Sequence, residues 1–175
     1  MRAFGRLGFY GANLPAIAKE AGISPGLIYR YVTSKDELVN LLFRSLKGTF
    51  SAAILPAVRA DNEPQAQFTA VMRALFTYAA EQREAFLFLE CHHHDSYLDE
   101  ASKKVDRELR LAFAAWVSGL QRSGSIASTL PPAAIISSVL GAVVFLVRDA
   151  AAGHFKLNDG LVTRHIAATW QALTP

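Results

Sequence analysis

The stretch from Gly8 to Leu38, GFYGANLPAIAKEAGISPGLIYRYVTSKDEL, decides the fold. Asn13 and Ser24 are good N-caps for two short helices, near residues 14–21 and 25–32. Between them, Gly22 supplies the left-handed backbone with which many helices end. Two short helices joined by a glycine-containing turn are typical of a helix-turn-helix, whose second helix enters the major groove of DNA.

The second helix is predicted to turn Leu27 and Arg30 outward, together with the residues at its start. Tyr29 and Tyr31 have hydroxyl groups that can donate to phosphate oxygens. Lys35 opens a third helix, and an ammonium beside a helix N-terminus suits a phosphate. The predicted DNA-binding residues are Asn13, Ser24, Pro25, Gly26, Leu27, Tyr29, Arg30, Tyr31 and Lys35.

This stretch resembles the head of the TetR family of bacterial transcriptional regulators. The residues that match the family pattern are Phe4, Gly8, Phe9, Leu14, Ile17, Ala18, Ala21, Gly22, Ile23, Ser24, Gly26, Ile28, Tyr29, Tyr31, Ser34, Lys35, Asp36 and Leu38. The resemblance implies a DNA-binding head and a helical body that binds an effector and dimerises, more often in a repressor than in an activator. The family's first helix begins well before its phenylalanine, whereas this chain starts three residues before Phe4. Most of that helix is therefore expected to be missing.

The charges are unevenly divided along the chain. Residues 1–60 carry eight Lys and Arg against three Asp and Glu, whereas the other 115 residues carry ten and twelve. A basic head on a mildly acidic body favours an anionic partner such as double-stranded DNA, although a solvated basic face gives the same pattern.

Apolar residues are in excess: they make up 51% of the chain and charged residues 19%, with a mean hydropathy of +0.20. A partner subunit or a ligand cavity would account for this excess. The longest apolar run, residues 133–147, is shorter than the roughly 17–25 residues of a membrane span. With one cysteine, Cys91, and no apolar leader, we expect a cytoplasmic protein without a membrane partner.

Helical periodicity continues to the end of the chain, and strand-type alternation is missing, which predicts an all-α fold. Helices are predicted near residues 14–21, 25–32, 35–54, 65–80, 83–94, 97–122, 132–152 and 159–173, after a short helical remnant at 1–7. Pro56 marks a predicted break. We expect a head over residues 1–47, with its first helix truncated, and an effector-binding and dimerisation domain over 48–175.

Apolar stripes in the body could line a cavity for an apolar or amphipathic effector, although for each residue taken alone ordinary core packing is the favoured explanation. The candidate pocket residues are Phe68, Met72, Phe76, Phe86, Leu89, His93, His94, Tyr97, Phe113 and Trp116. The last two helices are predicted to form a four-helix bundle with a second copy of the chain. The candidate dimer residues are Ile136, Val139, Leu140, Val143, Val147, Val162, Ile166 and Trp170.

The run Glu90-Cys91-His92-His93-His94-Asp95 raises the possibility of a metal site. Consecutive helical residues point about 100° apart, so three adjacent histidines cannot share one ion, and no zinc-type spacing is present. We expect no metal, no cofactor and no enzymatic activity. Two alternatives stay open: a metal-dependent helical enzyme that uses the Cys91–His94 cluster, and a ligand-binding dimer that has lost DNA binding.

Overall fold

A computed structural model describes residues 11–60, 63–91 and 97–175. All regular secondary structure in these ranges is helical, and the all-α prediction is confirmed. Its helices are α1 (Leu14–Glu20), α2 (Pro25–Ile28), α3 (Lys35–Arg59), α4 (Pro64–Glu81), α5 (Arg83–Cys91), α6 (Glu100–Arg122), α7 (Pro132–Ala151) and α8 (Asp159–Leu173). The predicted remnant at 1–7, which includes Phe4, lies outside the described residues, and so do Gly8 and Phe9.

The turn between α1 and α2 has the predicted geometry. Gly22 has a φ of 69°, in the left-handed region that favours glycine. Its N–H donates to the Lys19 carbonyl, and the Ile23 N–H donates to the Ala18 carbonyl. This pair of hydrogen bonds is a Schellman ending. It turns the chain so that α1 and α2 share a small core, formed by Leu14, Ala18, Ile28 and Val32.

The second helix of the head is shorter than predicted. Regular α-helix ends at Ile28, and the chain continues in tight turns to Tyr31. There the Arg30 N–H donates to the Leu27 carbonyl and the Tyr31 N–H to the Ile28 carbonyl. Bonds between residues three apart are those of a 3₁₀ turn, which winds more tightly than an α-helix. The prediction of one continuous helix over 25–32 was therefore wrong in its second half.

Helix α3 runs from the head into the body without interruption. The predicted break at Pro56 was wrong, because the helix continues to Arg59. Proline has no N–H to donate to the carbonyl four residues earlier, which is that of Ala52. Ala52 and Pro56 are both exposed, so water can satisfy that carbonyl.

The core of the body lies between α4 and its neighbours, with α3, α5, α7 and α8 packed against it. Phe68 on α4 is central: its ring lies 5.2 Å from the Trp170 ring and 6.2 Å from the Trp116 ring, centroid to centroid. Helix α6 packs against α3 and α7. The body therefore surrounds α4 on several sides and leaves one face of α7 uncovered.

Four of the candidate dimer residues belong to this core. Val143, Val147, Ile166 and Trp170 are buried within a single subunit. They pack in the core of the subunit and so offer little surface to a partner, and their role at a dimer interface stays a prediction. Val162 is half-buried against the same core.

Candidate nucleic-acid interface and ligand cavity

The candidate DNA-binding residues lie on the outside of the head. Tyr29 and Tyr31 are 52% and 74% exposed, which is high for aromatic side chains. Leu27 and Lys35 are half-buried. The remaining members of the set are exposed: Asn13, Ser24, Pro25, Gly26 and Arg30. The structure thus leaves all nine residues accessible at the head, and their contact with DNA stays a prediction.

The two predicted N-caps, Asn13 and Ser24, have the expected hydrogen bonds, and Ser34 caps α3 in the same way. The Asn13 Oδ1 accepts from the Ala16 N–H at 2.9 Å, and the Ser24 Oγ accepts from the Leu27 N–H at 3.2 Å. The Ser34 Oγ accepts from the Glu37 N–H, in the first turn of α3, at 3.1 Å. These bonds fix where α1, α2 and α3 begin, and therefore where the exposed side chains of the head point.

Glu37 adds a second tie at the start of α3. Its Oε2 accepts from both the backbone N–H and the hydroxyl of Thr33, at 2.7 Å each. The backbone hydrogen bond, followed by that of the hydroxyl, lowers the pKa of Glu37 below its ordinary value. The carboxylate therefore stays ionised beside the helix N-terminus, where the helix dipole favours negative charge.

Not every basic residue counted toward the head is available to DNA. Asn40, Arg44 and Lys47 form a polar stripe at positions i, i+4 and i+7 of α3, which faces α5, α6 and the segment before α6. We call these three residues the α3 polar stripe. Arg44 and Lys47 are both paired with carboxylates of the body. The predicted charge difference therefore overstates the positive charge that the head presents to a partner.

The first half of the α3 polar stripe holds the chain that enters α6. The Asn40 Nδ2 donates to the Tyr97 carbonyl at 2.9 Å, and its Oδ1 accepts from the Asp99 N–H at 2.9 Å. Arg44 pairs with Asp99 at 2.8 Å and donates to the buried hydroxyl of Ser102. The Asp99 side chain also accepts from the Ser102 N–H, which caps α6 and lowers the pKa of Asp99.

Lys47, at the end of the stripe, is a buried cation with only 6% of its surface exposed. Its Nζ lies 2.9 Å from Asp106 and 3.7 Å from Glu90. Arg110 binds the same Asp106 from the outside, at 2.6 Å. We call Lys47, Glu90, Asp106 and Arg110 the buried charge cluster.

The two carboxylates of the buried charge cluster differ in their pKa. Burial would raise the pKa of Asp106, but the hydrogen bond from Arg110 and the charge of Lys47 bring it below its ordinary value. Burial raises the pKa of Glu90, and the charges of Lys47 and, less strongly, of Arg110 only partly oppose it. Asp106 is therefore the better satisfied carboxylate, and Glu90 is the one whose charge is poorly compensated.

A cavity of about 260 Å³ lies beside this cluster, between α3, α4, α5, α6 and α7. Its wall is mostly apolar, with Phe50, Leu75 and Leu109 on one side and Leu140 on another. All four members of the buried charge cluster also line it. Leu111, which is 68% exposed, is part of the lining, so the cavity opens to the surface near this residue.

Three of the candidate pocket residues line this cavity: Met72, Phe113 and Trp116. Four others do not, since Phe68, Phe76, Phe86 and Leu89 pack in the core instead. Phe68 stacks behind Trp116, and Phe76 meets the His165 ring edge-on at 5.7 Å. Tyr97 is half-buried and does not line the cavity, and its carbonyl accepts from Asn40, the first residue of the α3 polar stripe. His93 and His94 lie outside the described residues.

Three candidate dimer residues line the cavity, and their contact with a partner stays a prediction. Ile136, Val139 and Leu140 are half-buried and form its α7 wall. The opposite wall is held by Trp116, whose Nε1 donates to the Gln67 Oε1 at 2.8 Å. Gln67 in turn donates to two carbonyls at the end of α3. The aromatic wall is therefore fixed to α3 by hydrogen bonds.

The sequence prediction did not include the buried charge cluster. Two signals for it exist: Lys47 stands at the spacing of the buried residues Phe43, Phe50 and Ile54, and Glu90 follows the apolar run 85–89. An ionisable residue on an apolar helical face is buried only with a partner. The identity of that partner depends on the fold.

Within residues 11–60, 63–91 and 97–175, no three His, Cys, Asp or Glu side chains are close enough to hold a metal ion. The histidines of the Cys91–His94 cluster lie outside these ranges, so this result does not test the cluster itself. The comparisons with known proteins, given next, do not favour the metal-dependent enzyme.

A helix-turn-helix head on a helical body is the architecture of a class of DNA-binding regulators. The family model "Bacterial regulatory proteins, tetR family" matches residues 1–42, and "Tetracyclin repressor-like, C-terminal domain" matches residues 43–174. Together the two models cover nearly the whole chain. The chain belongs to the TetR family.

Known relatives agree with this assignment. A TetR family transcription regulator from Marinobacter aquaeolei VT8 has a TM-score of 0.84 at 21% identity, over 98% of this chain and 90% of that one. The ketosteroid transcriptional regulator KstR2 of Mycobacterium tuberculosis has a TM-score of 0.75 at 16% identity, over 99% and 90%. The HTH-type transcriptional regulator BetI of Rhizobium meliloti is 32% identical over 76 residues. That match spans 43% of this chain and only 37% of BetI.

Proposed function

We propose that this chain is a homodimeric transcriptional regulator that binds a double-stranded DNA operator through its head and an effector in its cavity. The head comprises residues 1–47 and the body residues 48–175, with α3 shared between them. The observation that carries the proposal is the head itself, in which capped helices and a Schellman turn present two exposed tyrosines and Arg30. We favour a repressor, which the effector would release from the operator.

In this proposal the exposed residues of the head divide into two roles. Leu27 and Arg30 read base edges in the major groove. Lys35, at the N-terminus of the 25-residue helix α3, holds a phosphate. The two heads of a dimer then contact half-sites about 34–36 Å apart.

The test is the salt dependence of DNA binding. An operator is first selected from a pool of random duplexes, and its affinity is measured by fluorescence anisotropy at several salt concentrations. We expect Lys35→Ala to weaken binding on all sequences and to reduce the slope of log K against log salt by about one unit per subunit. Leu27→Ala and Arg30→Ala should instead change the preferred sequence.

Lys156→Ala is the matched control, because Lys156 is an exposed lysine between α7 and α8, far along the chain from the head. It should leave the slope unchanged. If no duplex is selected at all, the alternative of a ligand-binding dimer without DNA binding takes the place of this proposal.

The dimer is proposed from the uncovered face of α7. This helix is long and apolar enough to span a membrane by length and composition, as is α3, yet only 22% of its most apolar window is buried in one subunit. Ser138, Ala142 and Phe145 follow one another at helical spacing, and Phe145 is 54% exposed. Arg148 stacks on the Phe145 ring, 4.1 Å from its centroid, so this face combines small residues with an exposed aromatic ring and an arginine. Aromatic and arginine side chains are enriched at subunit interfaces. A second copy of the chain is the occupant that we propose.

Phe145→Glu should therefore convert the dimer to a monomer in sedimentation velocity, since it places a charge in the centre of the proposed interface. Leu111→Glu is the control: Leu111 is even more exposed than Phe145 but lies on α6. A dimer that survives Phe145→Glu would place the interface elsewhere.

A further inference from the structure

The charged groups of the cavity wall are gathered in one place. Among the residues that the structure describes in the lining, every polar one apart from Ser137 belongs to the buried charge cluster of Lys47, Glu90, Asp106 and Arg110. The rest of the wall is aliphatic or aromatic. A ligand of this cavity must therefore present an apolar body to most of the wall and any polar group to the cluster.

Within the cluster, the two carboxylates are not equivalent. Asp106 lies 2.9 Å from the Lys47 Nζ and 2.6 Å from the Arg110 Nε, so it has two close cations. Glu90 has one cation among the described residues, Lys47, at 3.7 Å, although its side chain is only 15% exposed. Burial, which raises the pKa of Glu90, acts in the same sense as this long contact.

From this arrangement we infer that the cavity takes a small amphipathic molecule whose head group donates a hydrogen bond to Glu90, either a hydroxyl or an ammonium, and that it discriminates against a carboxylate head. A donor supplies Glu90 with the partner that Lys47 provides only at a distance. A carboxylate adds a third negative charge beside Glu90 and Asp106, while both cations already serve Asp106. This inference rests on the proposed function in one respect, since it takes the effector to bind in this cavity.

The volume sets the size of the apolar body. A cavity of about 150 Å³ lined by aliphatic and aromatic residues binds benzene. The cavity here measures about 260 Å³, so it has room for one ring and a short chain. Phe113 and Trp116, both in the lining, offer aromatic surface for such a ring.

The experiment compares three probes that share one body: 3-phenylpropan-1-ol, 3-phenylpropylamine and 3-phenylpropanoate. Each is titrated into the purified full chain by calorimetry near pH 7, without DNA. We expect the alcohol and the amine to bind, and the carboxylate to bind at least about tenfold more weakly. Equal or tighter binding of the carboxylate, or no binding of any probe, would overturn the inference.

A variant then locates the head group. Glu90→Gln should weaken the amine about tenfold and the alcohol less, because the amide oxygen still accepts a hydrogen bond from a hydroxyl. Glu108→Gln, on the exposed side of α6, is the control and should change nothing. An amine affinity unchanged by Glu90→Gln would remove Glu90 from the site. The comparison of the three probes on the unmodified chain needs no variant, so it stands even if Glu90→Gln folds poorly.

The outcome is separable from that of the proposed function. Operator binding is measured on the same preparation in a ligand-free assay. Operator binding with no head-group preference overturns this inference alone. A donor-selective cavity in a chain that selects no operator overturns the proposed function alone.

Discussion

Replacing Asp106 by Asn tests whether the buried charge cluster stabilises the body. The change removes the closest partner of Lys47, at 2.9 Å, and keeps the shape of the side chain. Lys47 is 6% exposed and lines a mostly apolar cavity, so water that enters this cavity replaces the lost carboxylate only in part. Glu90 remains at 3.7 Å and compensates in part.

The expected cost follows from these contacts. Removing one partner of a buried ion pair costs about 3–5 kcal/mol, because the other charge stays buried without compensation. Glu90 places this case at the lower end, at about 3 kcal/mol. Arg110 loses this ion pair as well, but its side chain is 75% exposed and the loss of a surface pair adds little.

Equilibrium urea unfolding at a fixed protein concentration measures this cost, since the stability of a dimer depends on concentration. With an m-value of about 2 kcal/mol per molar urea, the midpoint should fall by about 1.5 M. Glu108→Gln removes an exposed carboxylate of the same helix. It should change the free energy of unfolding by no more than about 0.5 kcal/mol.

The double variant Lys47→Met with Asp106→Asn tests whether the uncompensated charge of Lys47 is the cause of the lost stability. It should be much more stable than Asp106→Asn alone, because the uncompensated charge is gone and an apolar side chain fills the space. A cost for Asp106→Asn no larger than that of Glu108→Gln would refute this reasoning. It would mean that Lys47 reaches water or another partner in solution.

Two further predictions concern the head and the pH dependence of stability. Ser24→Ala removes the N-cap of α2 and should cost about 1 kcal/mol, visible as a lower urea midpoint, with Ser24→Asp as the variant that restores it. Glu90, which faces Lys47, Asp106 and Arg110, has a pKa raised above its ordinary 4.5, so the folded state binds more protons than the unfolded state above that pH. Its contribution to stability therefore falls as pH rises through the raised pKa, and Glu90→Gln should gain in melting temperature relative to the unmodified chain between pH 4.5 and 7. A difference in melting temperature that is constant over this range would contradict the assignment.

The head could be predicted from the sequence because its signals are local. An N-cap acts on a backbone N–H two or three residues away, and the Gly22 turn is closed by bonds within six residues. Short-range rules therefore placed both helices and their turn. They placed the end of α2 less well, because helix and 3₁₀ turn differ by a single residue in hydrogen-bond spacing.

The cavity could be predicted only in part, since a helical stripe shows that a face is buried but not what covers it. Phe68 and Met72 stand on the same stripe of α4, yet Phe68 stacks on Trp116 and Trp170 while Met72 lines the cavity. The same limit explains α7, where Leu140 lines the cavity and Val143 is in the core. Which side of a stripe faces a void depends on packing between helices far apart in sequence.

Helix α3 joins the two parts of the molecule on which the proposed function depends. Lys35 and Lys47 stand on one continuous helix, twelve residues apart and thus about 18 Å along its axis. Any effector that prefers one position of Lys47 therefore prefers one position of the head as well, and its differential affinity limits the shift it can cause. Moving a two-state equilibrium from 1:99 to 99:1 takes about 5.5 kcal/mol. In the proposed dimer, the differential affinities of two bound effectors add, so we expect release from DNA to be more complete with effector in both subunits than with effector in one.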